Sequence, residues 1–222
     1  MPQQFGFTPQ LSTTHQLLRV VEYINEGKNS NLVIATIFLD IAKAFDKVWI
    51  EGLIHKLIAY KFPQYIIEII QSYLTKRHFT VLDKNSDSTP RNLQAGVPEG
   101  GILAPIIFVL FMKDIPQVRN IILSLYADGT AILSKGKTPD EAILPLQNYL
   151  KNLEFWLVRW KIKLNVDKTE VILFNEKNDD WPKVKVYGTP IEWKKEVKHL
   201  GVVLDKQLNF RAHTIQIKEK YN

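Results

Sequence analysis

Cysteine is absent from all 222 residues, which excludes disulfides, thiolate metal sites and cysteine nucleophiles and removes any pointer to an oxidising compartment. Long apolar runs are missing as well. The longest, Ile102 to Met112, is broken by Pro105 and falls short of the roughly 20 residues a membrane span requires, so no membrane helix is expected. Met1 to Gln10 lack the charged start and apolar centre of a secretory signal, which leaves cytoplasm or nucleus as the expected location. Repeats, linkers and low-complexity tracts are also wanting.

What is present is ordinary globular material. Apolar residues make up 45% and charged residues 23%, far from the compositions that stay disordered. Domains usually run to about 100–200 residues, so one domain with lobes is the default. Lys and Arg number 29 against 23 acidic residues, a formal charge of +6. That surplus suits a polyanionic partner, because neutralising phosphates dominates nucleic-acid affinity. Charge alone is equally compatible with a mildly basic soluble protein.

Hydrophobic spacing predicts a helix over Ser12 to Gly27, with Thr13 and Gln16 spaced as a capping box and Gly27 as the stop. Leu32 to Leu39 is a β-branched and aromatic run that reads as a strand buried on both faces, ending in Asp40. Helices follow at Trp49 to Tyr60 and Gln64 to Leu74, then a hairpin of Phe79 to Leu82 with Arg91 to Ala95. The loop Gly96 to Gly101 leads into a helix that Pro105 can start and Pro116 ends. Ile121 to Ser134 reads as a hairpin around an Asp128-Gly129 turn. A helix begins at Thr138 and carries the stripe Leu146, Tyr149, Leu150, Leu153, Leu157 and Trp160, with a bend expected at Pro145. Short strands are expected at Ile162 to Leu164, Val171 to Phe174, Val184 to Tyr187 and Val197 to Leu204, with a last helix from His213. Helices interleaved with paired strands favour an α+β fold: an antiparallel sheet with helices packed on one face.

Two aspartates stand beside strongly apolar strands: Asp40 after Thr36 to Leu39, and Asp128 after Leu123 to Ala127. If those strands are neighbours, both carboxylates project from one sheet edge, where hard oxygen donors from separate elements hold divalent cations for phosphoryl transfer. The plainer alternative is turn chemistry, for which Asp and Asp-Gly are well suited.

Several motifs, read in order, decide between these. Phe5-Gly-Phe-Thr-Pro with Ser12 to Leu17, Phe38-Leu-Asp-Ile-Ala-Lys-Ala-Phe-Asp, Gly96-Val-Pro-Glu-Gly-Gly-Ile-Leu-Ala-Pro, Tyr126-Ala-Asp-Gly, Asn165-Val-Asp-Lys-Thr and His199-Leu-Gly-Val-Val-Leu-Asp resemble successive blocks of the reverse transcriptases of jockey-like non-long-terminal-repeat retrotransposons. The resemblance implies a right-hand polymerase: partial fingers at about 1–30 and 50–95, a palm at about 31–49 and 96–205, and the start of a truncated thumb at 206–222. It implies RNA-directed DNA synthesis on an RNA template and DNA primer with deoxynucleoside triphosphates and two Mg2+ ions. Asp40, the carbonyl of Ile41 and Asp128 match the metal-binding positions, and Lys168 matches the proton donor to the pyrophosphate leaving group. Phe45, Gly96, Pro98, Glu99, Gly100 and Tyr126 match nucleotide- and template-binding positions. Leu200 and Gly201 match the primer grip.

This chain also departs from the pattern. The family's Tyr-Ala-Asp-Asp has Gly129 in its last place, which removes one carboxylate from the metal site. Thr8 stands for an Arg, Glu99 for a Gln, Gly101 and Ala104 for serines. The first fingers block, a complete thumb and an endonuclease are not in the sequence, so a fragment of a degenerating element is expected. Two rival readings remain: a non-catalytic nucleic-acid-binding remnant, and a nucleotide cyclase on a related palm. Lys168-Thr169 and the Gly96 to Pro105 block argue against the cyclase.

Overall fold

The computed structural model describes residues 12–41, 43–83, 86–98, 100–126, 129–178 and 180–221. The chain runs α1 (Thr13–Asn29), β1 (Val33–Asp40), α2 (Ile50–Ala59), α3 (Gln64–Leu74), β2 (His78–Phe79), β3 (Leu82–Asp83), β4 (Ser86–Asp87), β5 (Arg91–Asn92) and α4 (Leu103–Phe111). It continues through β6 (Ile122–Tyr126), β7 (Gly129–Gly136), α5 (Pro139–Arg159), a 3-10 turn (Val166–Lys168), β8 (Glu170–Phe174), β9 (Lys185–Val186) and β10 (Thr189–Pro190). β11 (Trp193–Lys194), β12 (Glu196–His199), β13 (Val202–Asp205) and α6 (Arg211–Tyr221) complete it.

Two compact units emerge. The first comprises Met1–Ile41, Ile115–Leu157 and Leu164–Asn222, and the second Ala42–Asp114 with Val158–Lys163. The first is built on a five-stranded sheet in the order β11-β8-β1-β7-β6. It is antiparallel, as expected of an α+β palm, except where β11 runs parallel to β8. Seven of the eight β1 residues are buried, which its apolar run foretold. Alternation places Ile34, Thr36, Phe38 and Asp40 on one face, beside Leu133, Ala131 and Gly129 of β7. Val20 and Ile24 of α1, with Val197 and Leu204 of the β12–β13 hairpin, join this face in one apolar cluster. The opposite face meets α5, where Ser134 donates its hydroxyl hydrogen to the Ala142 carbonyl, so helices lie on both faces of the sheet and not on one as expected.

Local chemistry moved several expected boundaries. Ser12, not Thr13, caps α1: its hydroxyl accepts from the His15 amide, and His15 Nδ1 accepts from the Ser12 amide. Gln16 is instead buried, donating to Ser124 Oγ and the Leu125 carbonyl. Gly27 does not stop α1. The stop is Asn31, left-handed at φ 55°, with the Leu32 amide reaching the Gly27 carbonyl and the Asn31 amide the Lys28 carbonyl, a Schellman closure. Gly27 serves packing, since a Cβ there would lie 2.8 Å from the Ile34 side chain.

α4 begins before Pro105 and ends before Pro116, so Pro105 sits in the first turn, where a missing N–H costs nothing. α5 is one helix through Pro145. Its start is fixed by Thr138 Oγ1, which accepts from the Glu141 amide. The expected strand at Val184 to Tyr187 is β9, the first arm of a hairpin, whereas the one expected at Val197 to Leu204 is itself a hairpin. β9 pairs with β10 and β12 with β13, across Tyr187-Gly188 and Leu200-Gly201, all four left-handed as a type I′ turn demands.

The second unit packs α2, α3 and α4 around Leu53, Leu57, Ile67, Leu74, Ile107 and Phe108, all buried. Lys56, only 2% exposed, lies among them: it pairs with Asp114, donates to the Phe111 carbonyl and sits 3.8 Å from the Trp160 ring centroid. Burial lowers its pKa to about 8 despite the Asp114 partner. β2 pairs with β5, as the expected hairpin of these segments requires, and β3 pairs with β4 inside it, which was not expected.

Candidate active site

β1 and β7 fix the centre of the site. Asp40, the last residue of β1, is directly opposite Gly129, the first of β7, and Gly129 is in turn opposite Tyr126 of β6. Paired residues of antiparallel strands share a face, so the Asp40 carboxylate and any side chain at position 129 emerge together. Gly129 is therefore paired on both sides as a strand residue, against the expected Asp128-Gly129 turn. Gly129 lies in the strand and is not left-handed. Asp128 and Glu99, with the Phe5 to Pro9 block, lie outside the described residues.

The segment after α5 completes one wall. The Asn165 amide donates to the Asp40 carbonyl at 2.9 Å, and Ile41 bridges to Leu164. Thr169 Oγ1 donates to the Asn165 carbonyl, which tightens the 3-10 turn and brings Lys168 Nζ to 3.7 Å from Asp40 Oδ2. With Asp40 35% and Lys168 69% exposed, this is a solvent-screened pair, weak by itself but placing a cation beside the carboxylate.

The β12–β13 hairpin forms the other wall. Its turn brings Leu200 beside Gly129, where a Cβ would meet Leu200 Cδ2 at 3.9 Å. His199, 6% exposed, stacks on Phe38 with ring centroids 4.7 Å apart. Burial pushes its pKa down to about 4, so at neutral pH it adds no charge. Asp40, Gly129, Lys168, Glu170, His199 and Leu200 are among the residues lining a cavity of about 240 Å³. Sequence reasoning had not singled out Glu170 or His199 for the site. The signal for His199 was the alternation from Val197, which turns both inward.

Phe45, Gly96, Pro98 and Gly100 belong to the second unit. Phe45 stacks on Phe108 at 5.0 Å, and its carbonyl accepts from the Val97 amide. Gly96 is left-handed at φ 87°, and a Cβ there would stand 2.8 Å from the Asp46 carbonyl oxygen. The close approach that its glycine permits is thus to the chain itself. Gly100, also left-handed, faces open space.

As a cation site the described residues are sparse. Among them no group of three acidic or imidazole side chains converges, and Gly129 offers no donor opposite Asp40. Of the expected metal-binding positions, the structure describes Asp40 and the Ile41 carbonyl, adjacent in the chain.

Comparison with known proteins bears on the same residues. The family described as reverse transcriptase (RNA-dependent DNA polymerase) matches residues 1–204. The RNA-directed DNA polymerase from mobile element jockey of Drosophila funebris is 33% identical over 98% of this chain, which spans 25% of that protein. The probable RNA-directed DNA polymerase from transposon BS of Drosophila melanogaster is 34% identical over 95% of the chain and is matched over 24% of its own length. The chain thus spans about a quarter of these relatives. Among solved structures, apo telomerase from Candida tropicalis truncated from its C-terminal domain shares the fold with a TM-score of 0.62 at 14% identity, over 94% of this chain and 40% of that truncated chain.

Proposed function

The chain belongs to the reverse transcriptase (RNA-dependent DNA polymerase) family, as found in jockey-like non-long-terminal-repeat retrotransposons, and on that premise we propose that it carries an impaired copying site for RNA-directed DNA synthesis. The unit bearing Asp40 is the palm. Its ligands are an RNA template, a DNA primer and deoxynucleoside triphosphates, and Mg2+ is the expected cation. The observation that carries the impairment is the pairing of Asp40 with Gly129.

Asp40 and Asp128 would hold one cation, which when bound supplies electrostatic stabilisation of phosphoryl oxygens. The chain's own groups do the rest. Lys168, beside Asp40, stands ready to donate a proton to the leaving pyrophosphate. Leu200 and Gly201 hold the primer end from the hairpin turn. Phe45 matches the family position that excludes a ribonucleotide 2'-hydroxyl, and Gly96 keeps its loop folded onto Asp46. Without a carboxylate at 129 the primer hydroxyl lacks its second anionic partner. Transition-state charge stabilisation commonly amounts to several kcal/mol, and about 1.36 kcal/mol is tenfold in rate.

Primer extension on an RNA template, in Mg2+ and separately in Mn2+, tests this. Gly129→Asp should raise extension at least about tenfold, the equivalent of roughly 1.4 kcal/mol, and Asp40→Asn should remove what activity remains. A folded, template-binding Gly129→Asp protein no faster than the parent would show that the missing carboxylate is not the defect.

A further inference from the structure

The second unit carries an open groove of about 840 Å³ that the copying chemistry leaves unused. Three ammonium groups converge on it from separate turns: Lys47 beyond β1, Lys76 beyond α3 and Lys161 beyond α5. The groove holds one carboxylate, Glu51, and Gln94 adds a neutral amide. All three lysines are exposed, so their charges are available to a ligand.

Lys161 is held in place. Its backbone is left-handed at φ 57°, its amide donates to the Val158 carbonyl, and its Nζ stands 3.9 Å from the Trp49 ring centroid. Trp49 is itself clamped, for a Cβ at Gly52 would fall 2.3 Å from the indole. The indole is a platform for an ammonium, and with Gly52 and Lys161 against it the ring is not free to stack a base. Lys76 is also left-handed, at φ 55°. The groove therefore offers preset positive charge without an aromatic face for reading bases, the chemistry that recognises a phosphodiester backbone. Its volume is of the size that takes a drug-sized ligand, about 300–1,000 Å³, which corresponds to a few nucleotides of one strand.

We propose that this groove is a second nucleic-acid contact, holding a short stretch of single-stranded RNA backbone by charge, irrespective of sequence. The proposal rests on the reading that the chain handles RNA. Its test is fluorescence anisotropy with short polyuridine RNA over a salt series. The triple variant Lys47→Gln, Lys76→Gln, Lys161→Gln should bind at least about tenfold more weakly at low salt. Its log–log salt slope should shrink by about 2, since each single-strand phosphate contact contributes roughly 0.7. The matching Lys→Arg triple should bind as the parent does. As a control for net charge, Lys185→Gln, Lys194→Gln, Lys195→Gln, exposed lysines of the first unit, should change neither quantity appreciably.

Four results would overturn the proposal. Equal losses in both glutamine triples would reduce the effect to overall charge. Polyglutamate that displaces RNA from the parent as well as RNA itself does, and loses this in the groove triple, would make the groove an acidic-peptide site. Parent-like RNA binding by the groove triple would discard the groove while leaving the polymerase reading intact. A parent that binds no RNA at all, while folded, would discard both.

Discussion

Gly129 is the residue on which the proposed impairment rests, and its glycine is not demanded by the backbone. It sits in a strand between two paired neighbours, is not left-handed, and a Cβ would meet the Tyr126 carbonyl oxygen at 3.4 Å and Leu200 at 3.9 Å. Glycine within a strand costs roughly 0.5–1 kcal/mol relative to alanine. Gly129→Ala should therefore leave stability unchanged or raise it by up to that amount, read from the urea midpoint, and a loss above about 1 kcal/mol would show that the site is packed too tightly for Gly129→Asp to be informative. His199 makes a second residue-scale prediction. The unfolded chain takes up a proton near pH 6.5, whereas burial keeps the native imidazole neutral down to about pH 4. Across that window the unfolded state binds more protons, so stability falls as pH falls, by up to about 3 kcal/mol. His199→Leu should abolish the part of the decline between pH 6.5 and 5, above most carboxylate titrations. An unchanged decline in that variant would assign it to other groups. The identity of Asp40 and the vacancy at 129 were legible in the sequence, because a motif names its residues. That Gly129 lies in the strand was not, because Asp-Gly is good turn chemistry and only the pairing register shows which two residues turn.

At the scale of elements, the β12–β13 hairpin sets a local cost against position. A type I′ turn wants left-handed residues at both centres, and Leu200 at φ 48° is a poor choice where Asn or Gly is favoured. A left-handed non-glycine residue costs about 1–2 kcal/mol. Leu200→Asn should accordingly raise the thermal midpoint by the equivalent of about 1 kcal/mol while lowering primer affinity in extension assays, since Leu200 lies beside Gly129 and lines the cavity. A variant with both properties improved would leave Leu200 without a role at the primer. The hairpin itself was missed for a physical reason. Val197 to Leu204 is continuously suited to a strand, and Leu-Gly is not among the dipeptides that announce a tight turn. α1 misled in the opposite direction: Gly27 reads as a terminator by propensity, yet closeness to Ile34 explains it, and the buried amide of Gln16 looked like a cap because spacing alone cannot tell a capping side chain from one that reaches Ser124. Strong periodicity was read correctly in α3, whose bounds match the expected Gln64 to Leu74, and in β1, whose burial follows from its unbroken apolar run.

Over the whole molecule, the chain order of motifs carried more information than composition did. A charge of +6 is shared by many folds, whereas Asp40, Gly129, Lys168 and Leu200, from four separate blocks, line one cavity on a sheet in which β1 lies between β7 and β8. The division into two compact units was not legible, because it depends on which distant segments pack together and not on any linker composition. That division makes a prediction through Lys56. Its ammonium holds the Phe111 carbonyl and Asp114 beneath Trp160, all within the second unit. Truncating it leaves a void and an unpaired carbonyl, together about 3 kcal/mol. In amide hydrogen exchange, Lys56→Ala should accelerate α2 and α4, while β1 and β7, central in the sheet of the first unit, keep the slowest exchange in the chain. Local opening of this kind follows cooperative units. If the β1 and β7 amides accelerate by the same factor as those of α4, the two units unfold as one body.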